Sequence, residues 1–234
     1  WSDWAFAGPA LALIAAVNLV PIGQTVWLSG KFDRLPYDSL LRASLWNTAI
    51  FTSVSVSLEL VLGLAMALAL WKPFQGRGLV RAAVLIPWAL PSAVMAMGWR
   101  LIYNPDSGVL GDIVYRLGLT STPNIPWLAS PVFAMGACIL ADVWKTAPYM
   151  ALLLMAGLAT IPEELYEAAS IDGAGPLKRF AFITLPLLAP TIALAVVFRA
   201  IQAFGCFELI WVLTRGGPGN RTKLIALYVY ENVF

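Results

Sequence analysis

The sequence predicts an all-α fold, a polytopic bundle of transmembrane helices, and two observations carry the prediction. The first is composition: apolar residues fill 60% of 234 positions and charged residues 12%, whereas a soluble domain is about 25% charged. The second is arrangement. Residues 4–30, 82–99 and 180–198 contain no charge, and Glu59 is the only charge between Arg42 and Lys72. A spanning helix needs roughly 20 mainly apolar residues, and a water-soluble fold of this size has too little interior to hide such runs.

Five spans follow in order, at residues 5–28, 46–70, 82–103, 131–159 and 185–213, and a sixth begins near Lys223. The first two rest on their uncharged or nearly uncharged runs. The third contains Pro87 and Pro91 and the fourth Pro148; each proline removes a helix hydrogen bond and bends the helix, as membranes tolerate beside cavities or moving parts. The fifth carries Arg199 as its single charge. The chain starts at Trp1 without an initiator methionine and stops at Phe234 soon after the sixth run begins, so both ends are expected to be trimmed. Residues 1–234 are expected to form one transmembrane domain with no soluble domain and no repeat. Residues 108–117 suit a short amphipathic interfacial helix, and Trp127 suits a membrane–water boundary. Charge bias does not orient the chain. With odd-numbered spans running outward, residues 72–81 and 160–183 hold five Lys/Arg on the inner side, against seven on the other.

Ionisable residues inside spans are expensive and suggest function. Asp142 and Lys145 lie three apart, share a helix face and are expected to neutralise each other, either as a structural pair or beside a substrate path. Glu59 and Arg199 must each face the bundle interior or water, and a cross-helix pair between them is open. Cys138 and Cys206 lie far apart in apolar stretches and read as buried thiols rather than a bridge. Histidine is absent, which excludes imidazole metal sites and Ser-His catalysis, and no metal site is expected. The net charge of +2 points to no nucleic acid.

One polar segment interrupts this pattern. At residues 160–186, Thr160 with Glu163 has the spacing of a capping box, and Pro162 fits a first turn. A helix of about ten residues should follow and stop at Gly173 in a left-handed conformation. Pro176 opens a second helix leading into the fifth span. The segment is too short and polar to cross, and two capped helices exceed what a connector needs, so it is expected to present a docking surface.

Glu167-Ala168-Ala169, Gly173 four residues on, then nine residues and Ile183-Thr184-Leu185-Pro186 resemble the EAA loop of binding-protein-dependent ABC importer permeases at the family's spacing. Asn47-Thr48, Ala83 to Pro87, Val143 to Met150 and Val212 to Gly219 extend the likeness to the sugar branch with maltose-, trehalose- and glycerol-phosphate-type systems; Arg215 departs where members often have glycine. The resemblance implies a six-helix permease core whose last helix is missing from this chain. It places residues 160–183 in the cytosol as a coupling loop, with Glu167, Ala168, Ala169, Asp172, Gly173, Ile183, Leu185 and Pro186 serving the ATPase. It implies as partners a second related permease, two ATPase subunits carrying ATP and Mg, and an extracytoplasmic sugar-binding protein, all at the inner membrane of a prokaryote. No cofactor is expected on this chain and no enzymatic activity of its own; no Gly-x-x-x-x-Gly-Lys loop occurs. Residues matching the family's sugar path are Trp144, Thr146 and Tyr149 in the fourth span and Arg199, Gln202 and Cys206 in the fifth. An ion-coupled secondary transporter using Glu59 and Asp142, and a membrane enzyme, are the rival readings. The first leaves the capped loop without a role, and the second lacks a nucleophile–base pair. Which sugar is carried is not readable.

Overall fold

A computed structural model describes residues 38–233; the predicted span at 5–28 lies outside the described residues. Helix α1, Ser39–Trp71, is 33 residues long and starts where the carboxylate of Asp38 accepts the amide protons of Leu40 and Leu41 at 2.8 and 3.2 Å. That carboxylate satisfies donors that a first turn leaves free. The buried positions of α1 are Ser44, Thr48, Phe51, Ser55, Glu59, Gly63, Ala67 and Leu70, a stripe at spacings of three and four, with Val56 beside it. Most are small or polar, the composition by which helices in lipid approach each other closely.

That stripe packs on α5, Ala134–Leu158. Helix α5 is the centre of the bundle: 67% of its most apolar stretch is buried, against 33% for α1 and 17% for the helix running Pro176–Phe204. Two glycines mark its closest crossings. A Cβ at Gly63 would lie 2.6 Å from Met150 Cγ on α5, and one at Gly157 would lie 2.6 Å from Thr191 Oγ1. Pro148 sits inside α5 without ending it.

The third predicted span is corrected by the structure. It is two helices, α2, Arg77–Ala89, and α3, Ser92–Ile102, meeting at 91°. Pro87 stays within α2, while Pro91 occupies the break, with Leu90 extended before it. A proline disfavours the helical region for the residue before it; Leu90 leaves that region and Ile86, before Pro87, does not. A short helix α4, Val109–Arg116, follows where the amphipathic segment was expected.

The polar segment forms α6, Glu163–Ile171, and α7, Pro176–Arg179. The expected capping box is absent: the helix is capped by Pro162 without a side-chain bond, and Thr160 turns back to the carbonyl of Gly157. The stop is as expected. Gly173 has φ +78°, and the amides of Gly173 and Ala174 return to the carbonyls of Ser170 and Ala169, the paired bonds of a left-handed helix terminus. From α7 the chain continues through one π-turn, Phe180–Thr184, into α8, Leu185–Phe204. The fifth predicted span is therefore shorter than 185–213. It ends at Phe204, and a break at 205–207 separates it from α9, Glu208–Leu213.

After α9 the chain turns through left-handed residues at Arg215, Gly216, Gly219 and Asn220 and enters α10, Ile225–Val233. Arg215 has φ +49°, a left-handed conformation that costs a side-chain-bearing residue more than glycine; its guanidinium lies 5.5 Å above the Trp211 ring. The Asn47-Thr48 pair fastens this turn to α1. The Asn47 amide donates to the carbonyls of Asn220 and Lys223 at 2.9 and 3.1 Å, and the Thr48 hydroxyl accepts from the Ile225 amide at 2.8 Å.

Candidate functional site

Five charged or polar side chains meet in the bundle interior because α1, α5 and α8 cross there. Arg199 on α8 donates from Nε to Glu59 Oε2 at 2.6 Å and from a terminal nitrogen to Glu59 Oε1 at 2.7 Å. The same terminal nitrogen reaches Asp142 Oδ2 at 3.1 Å, and the other reaches Gln202 Oε1 at 3.1 Å. The Thr146 hydroxyl lies 2.7 Å from Glu59 Oε1 and 2.6 Å from the carbonyl of Asp142, so two acceptors compete for its single proton. Glu59 is 0% and Arg199 3% exposed. A planar guanidinium matches a carboxylate two-to-two, which makes this fork–fork pair among the stronger contacts available to a buried charge.

The Glu59–Arg199 pair left open by the sequence is thus present, whereas the expected neutralisation of Asp142 by Lys145 is not. Asp142 turns inward to Arg199. Lys145 instead donates to the backbone carbonyls of Trp88 and Leu90, groups left free by the end of α2 at the proline break.

The network forms the back wall of a cleft of about 420 Å³. Of the residues expected along a substrate path, Thr146, Arg199, Gln202 and Cys206 line it. Cys206 does so from the break after α8 rather than from a helical face. Trp144 and Tyr149 do not line it: Trp144 is exposed and edge-on to Trp99 at 5.8 Å, and Tyr149 stacks on Trp88 at 5.3 Å. Trp88, Ser92 and Glu208 line the cleft and were not singled out by sequence. The proline at 91 was the available signal, since a broken span turns its flanking residues toward a cavity. Aromatic faces, a hydroxyl, an amide and charges of both signs suit a polyhydroxylated ligand: rings stack on its apolar faces and the polar groups bond its hydroxyls.

The second candidate region is α6, which has no buried residue. Glu167, Ala168, Asp172 and Gly173 are exposed and Ala169 half-buried. Two apolar side chains, Ile171 at 87% and Leu165 at 42% exposure, stand out beside them. A helix that displays isoleucine and leucine among carboxylates is built to be covered. It is braced from behind: Tyr166 bonds Thr184 at 3.0 Å and packs on Trp71 of α1 at 6.0 Å. Of the remaining predicted loop residues, Ile183 is half-buried and packs on the core, while Leu185 and Pro186 are exposed at the start of α8.

Comparison with known proteins finds relatives along most of the chain. Residues 59–230 match the family described as binding-protein-dependent transport system inner membrane component. The chain is 43% identical over 239 residues to the trehalose/maltose transport system permease protein MalF of Thermococcus litoralis, covering 95% of this chain and 80% of the relative. It is 34% identical over 259 residues to the sulfoquinovosyl glycerol transport system permease protein SmoG of Agrobacterium fabrum, covering 99% and 83%. A bacterial alginate ABC transporter crystallised with its alginate-bound periplasmic protein superposes with a TM-score of 0.85 at 22% identity, over 99% of this chain and 82% of that one. That likeness concerns the fold.

Proposed function

From the premise that the chain belongs to the family of binding-protein-dependent transport system inner membrane components and is a permease subunit of an importer, we propose that its cargo is a carbohydrate. The observation that carries the proposal is the lining of the cleft, where the Trp88 ring stands with the Thr146 hydroxyl, the Gln202 amide and the Arg199 guanidinium; the exposed helix α6 lies in the chain between α5 and α8, the two helices that meet there. A push on α6 passes through the Tyr166–Thr184 bond to the start of α8 and along that helix to Arg199.

Transport by alternating access follows from that arrangement. A second, related permease completes the pathway, and an extracytoplasmic binding protein delivers the sugar, in line with relatives named for trehalose, maltose and sulfoquinovosyl glycerol. Two ATPase subunits hold ATP and Mg and receive α6 in a groove, with Glu167 facing a basic group and Leu165 and Ile171 covered. Closure of those subunits rocks the two permeases between outward- and inward-open states. In the cleft, Gln202, Thr146 and the outward edge of Arg199 bond sugar hydroxyls, and Trp88 offers a stacking face. This chain then works in the inner membrane of a prokaryote and performs no ATP hydrolysis itself.

The test is the full complex in proteoliposomes with its binding protein, wild type against Glu167→Arg. The expected result is sugar- and binding-protein-dependent ATPase activity that falls at least tenfold in the variant while the complex still assembles. Solute uptake driven by an ion gradient without the ATPase, and indifferent to Glu167, would overturn the reading.

A further inference from the structure

At the end of the bundle that carries α6, two arginines stand one helical turn apart on α2 without a carboxylate. Arg77 donates to the carbonyl of Trp71 at 2.9 Å and Arg81 to that of Leu70 at 2.8 Å, so both are held in place by the last carbonyls of α1, which have no helix donor. Each bond uses one of five guanidinium donors. Neither arginine belongs to any ion pair among the described residues, and Arg81 Nε is buried with no partner. Both line a groove of about 410 Å³ between α2 and α5, whose other walls are Leu85, Leu152, Met155, Ala156, Ala159 and Trp71. No acidic residue contributes to it.

We propose that this groove is a binding site for one anionic phospholipid, its phosphate on Arg77 and Arg81 and an acyl chain along Leu85, Leu152 and Met155. Three features converge on that occupant. The charge is positive, preorganised and uncompensated, which asks for an anion. The wall leading from it is apolar, which excludes a free hydrophilic anion as the whole ligand. The groove also opens at the end of membrane-spanning helices beside a tryptophan, where headgroups lie. Helix α2 has no buried residue, so lipid reaches the groove from the side. The proposal rests on the importer reading only for the leaflet, which that reading makes the cytosolic one.

Native mass spectrometry of the purified complex, titrated with phosphatidylglycerol or phosphatidylcholine, tests it without any transport readout. An importer reading that fails in proteoliposomes therefore leaves this result standing. Wild type is expected to retain phosphatidylglycerol in preference to phosphatidylcholine. At about 1 kcal/mol per interfacial cation, R77Q/R81Q should bind phosphatidylglycerol about 30-fold more weakly. R77K/R81K keeps the charge and should recover most of that loss. Ala156→Trp fills the groove, leaves both arginines, and should also lose the lipid. Equal retention in wild type and R77Q/R81Q would overturn the proposal, as would displacement by millimolar inorganic phosphate or unchanged binding in Ala156→Trp. If R77Q/R81Q loses the ATPase subunits equally in both lipids, the arginines serve a protein contact and the proposal fails.

Discussion

Replacing Arg199 by glutamine removes the cation that two buried carboxylates share. Arg199 makes three short contacts to Glu59 and Asp142, at 2.6, 2.7 and 3.1 Å. If these were worth only ordinary hydrogen bonds within a membrane, at about 0.6 kcal/mol each, their loss would cost about 2 kcal/mol. The physical situation is harsher. Glu59 is fully buried and Asp142 nearly so, and stranding a buried charge typically costs about 3–5 kcal/mol, or two to three and a half powers of ten in the unfolding equilibrium. The larger estimate should apply, because the glutamine amide supplies no charge and cannot reproduce the fork. Reversible unfolding in mixed micelles, followed by tryptophan fluorescence, would measure it. The double variant Glu59→Gln/Arg199→Gln should recover part of the loss, with a coupling above about 1.5 kcal/mol. A cost under about 2 kcal/mol for the single change, or additive effects in the double, would refute the view that this network is a charge cluster held together by Arg199.

Asn47→Ala removes two bonds to the carbonyls of Asn220 and Lys223 and should cost about 1–3 kcal/mol, with faster amide exchange at 216–225 as the local signature. Gly157→Ala places a methyl 2.6–2.8 Å from Thr191 and Leu188; overpacking of this kind costs about 1–3 kcal/mol, visible in the same unfolding assay and partly relieved by Thr191→Ala, which removes both Thr191 atoms in the clash. Asp38 is held below the ordinary carboxylate value of 3.8, first by the Tyr228 hydroxyl and then by the Leu40 and Leu41 amides. A lowered folded-state value means the cap contributes fully above about pH 4 and fades as pH falls through that lowered value. Hydrogen exchange at Leu40 and Leu41 should therefore be protected at pH 6 and lose that protection, relative to the helix interior, toward pH 3; an unchanged ratio would contradict it.

The features readable from residue order alone are those that depend on solvent and on near neighbours. Long runs with few or no charges do not suit water, so the membrane class and α1 and α8 were legible, and α5 was legible as an apolar run carrying only Asp142 and Lys145. The helix stop at Gly173 was legible because a left-handed terminus is a property of a few consecutive residues. The helix before that stop was legible for the same reason, though its cap was not, since Thr160 turned to the nearer Gly157 carbonyl. The tertiary structure decided the partners. Asp142 looked to Lys145, three residues away, and found Arg199 on another helix; Lys145 was freed to hold the carbonyls at the α2–α3 break. Which of two prolines breaks a span, and by what angle, also depends on the helices packed around it, and that 91° turn brings Trp88 and Ser92 to the cleft. Glu59 and Arg199 lie 140 residues apart. Their meeting is fixed by where α1 and α8 cross α5, which is set by close approaches at Gly63 and Gly157 that no local pattern announces.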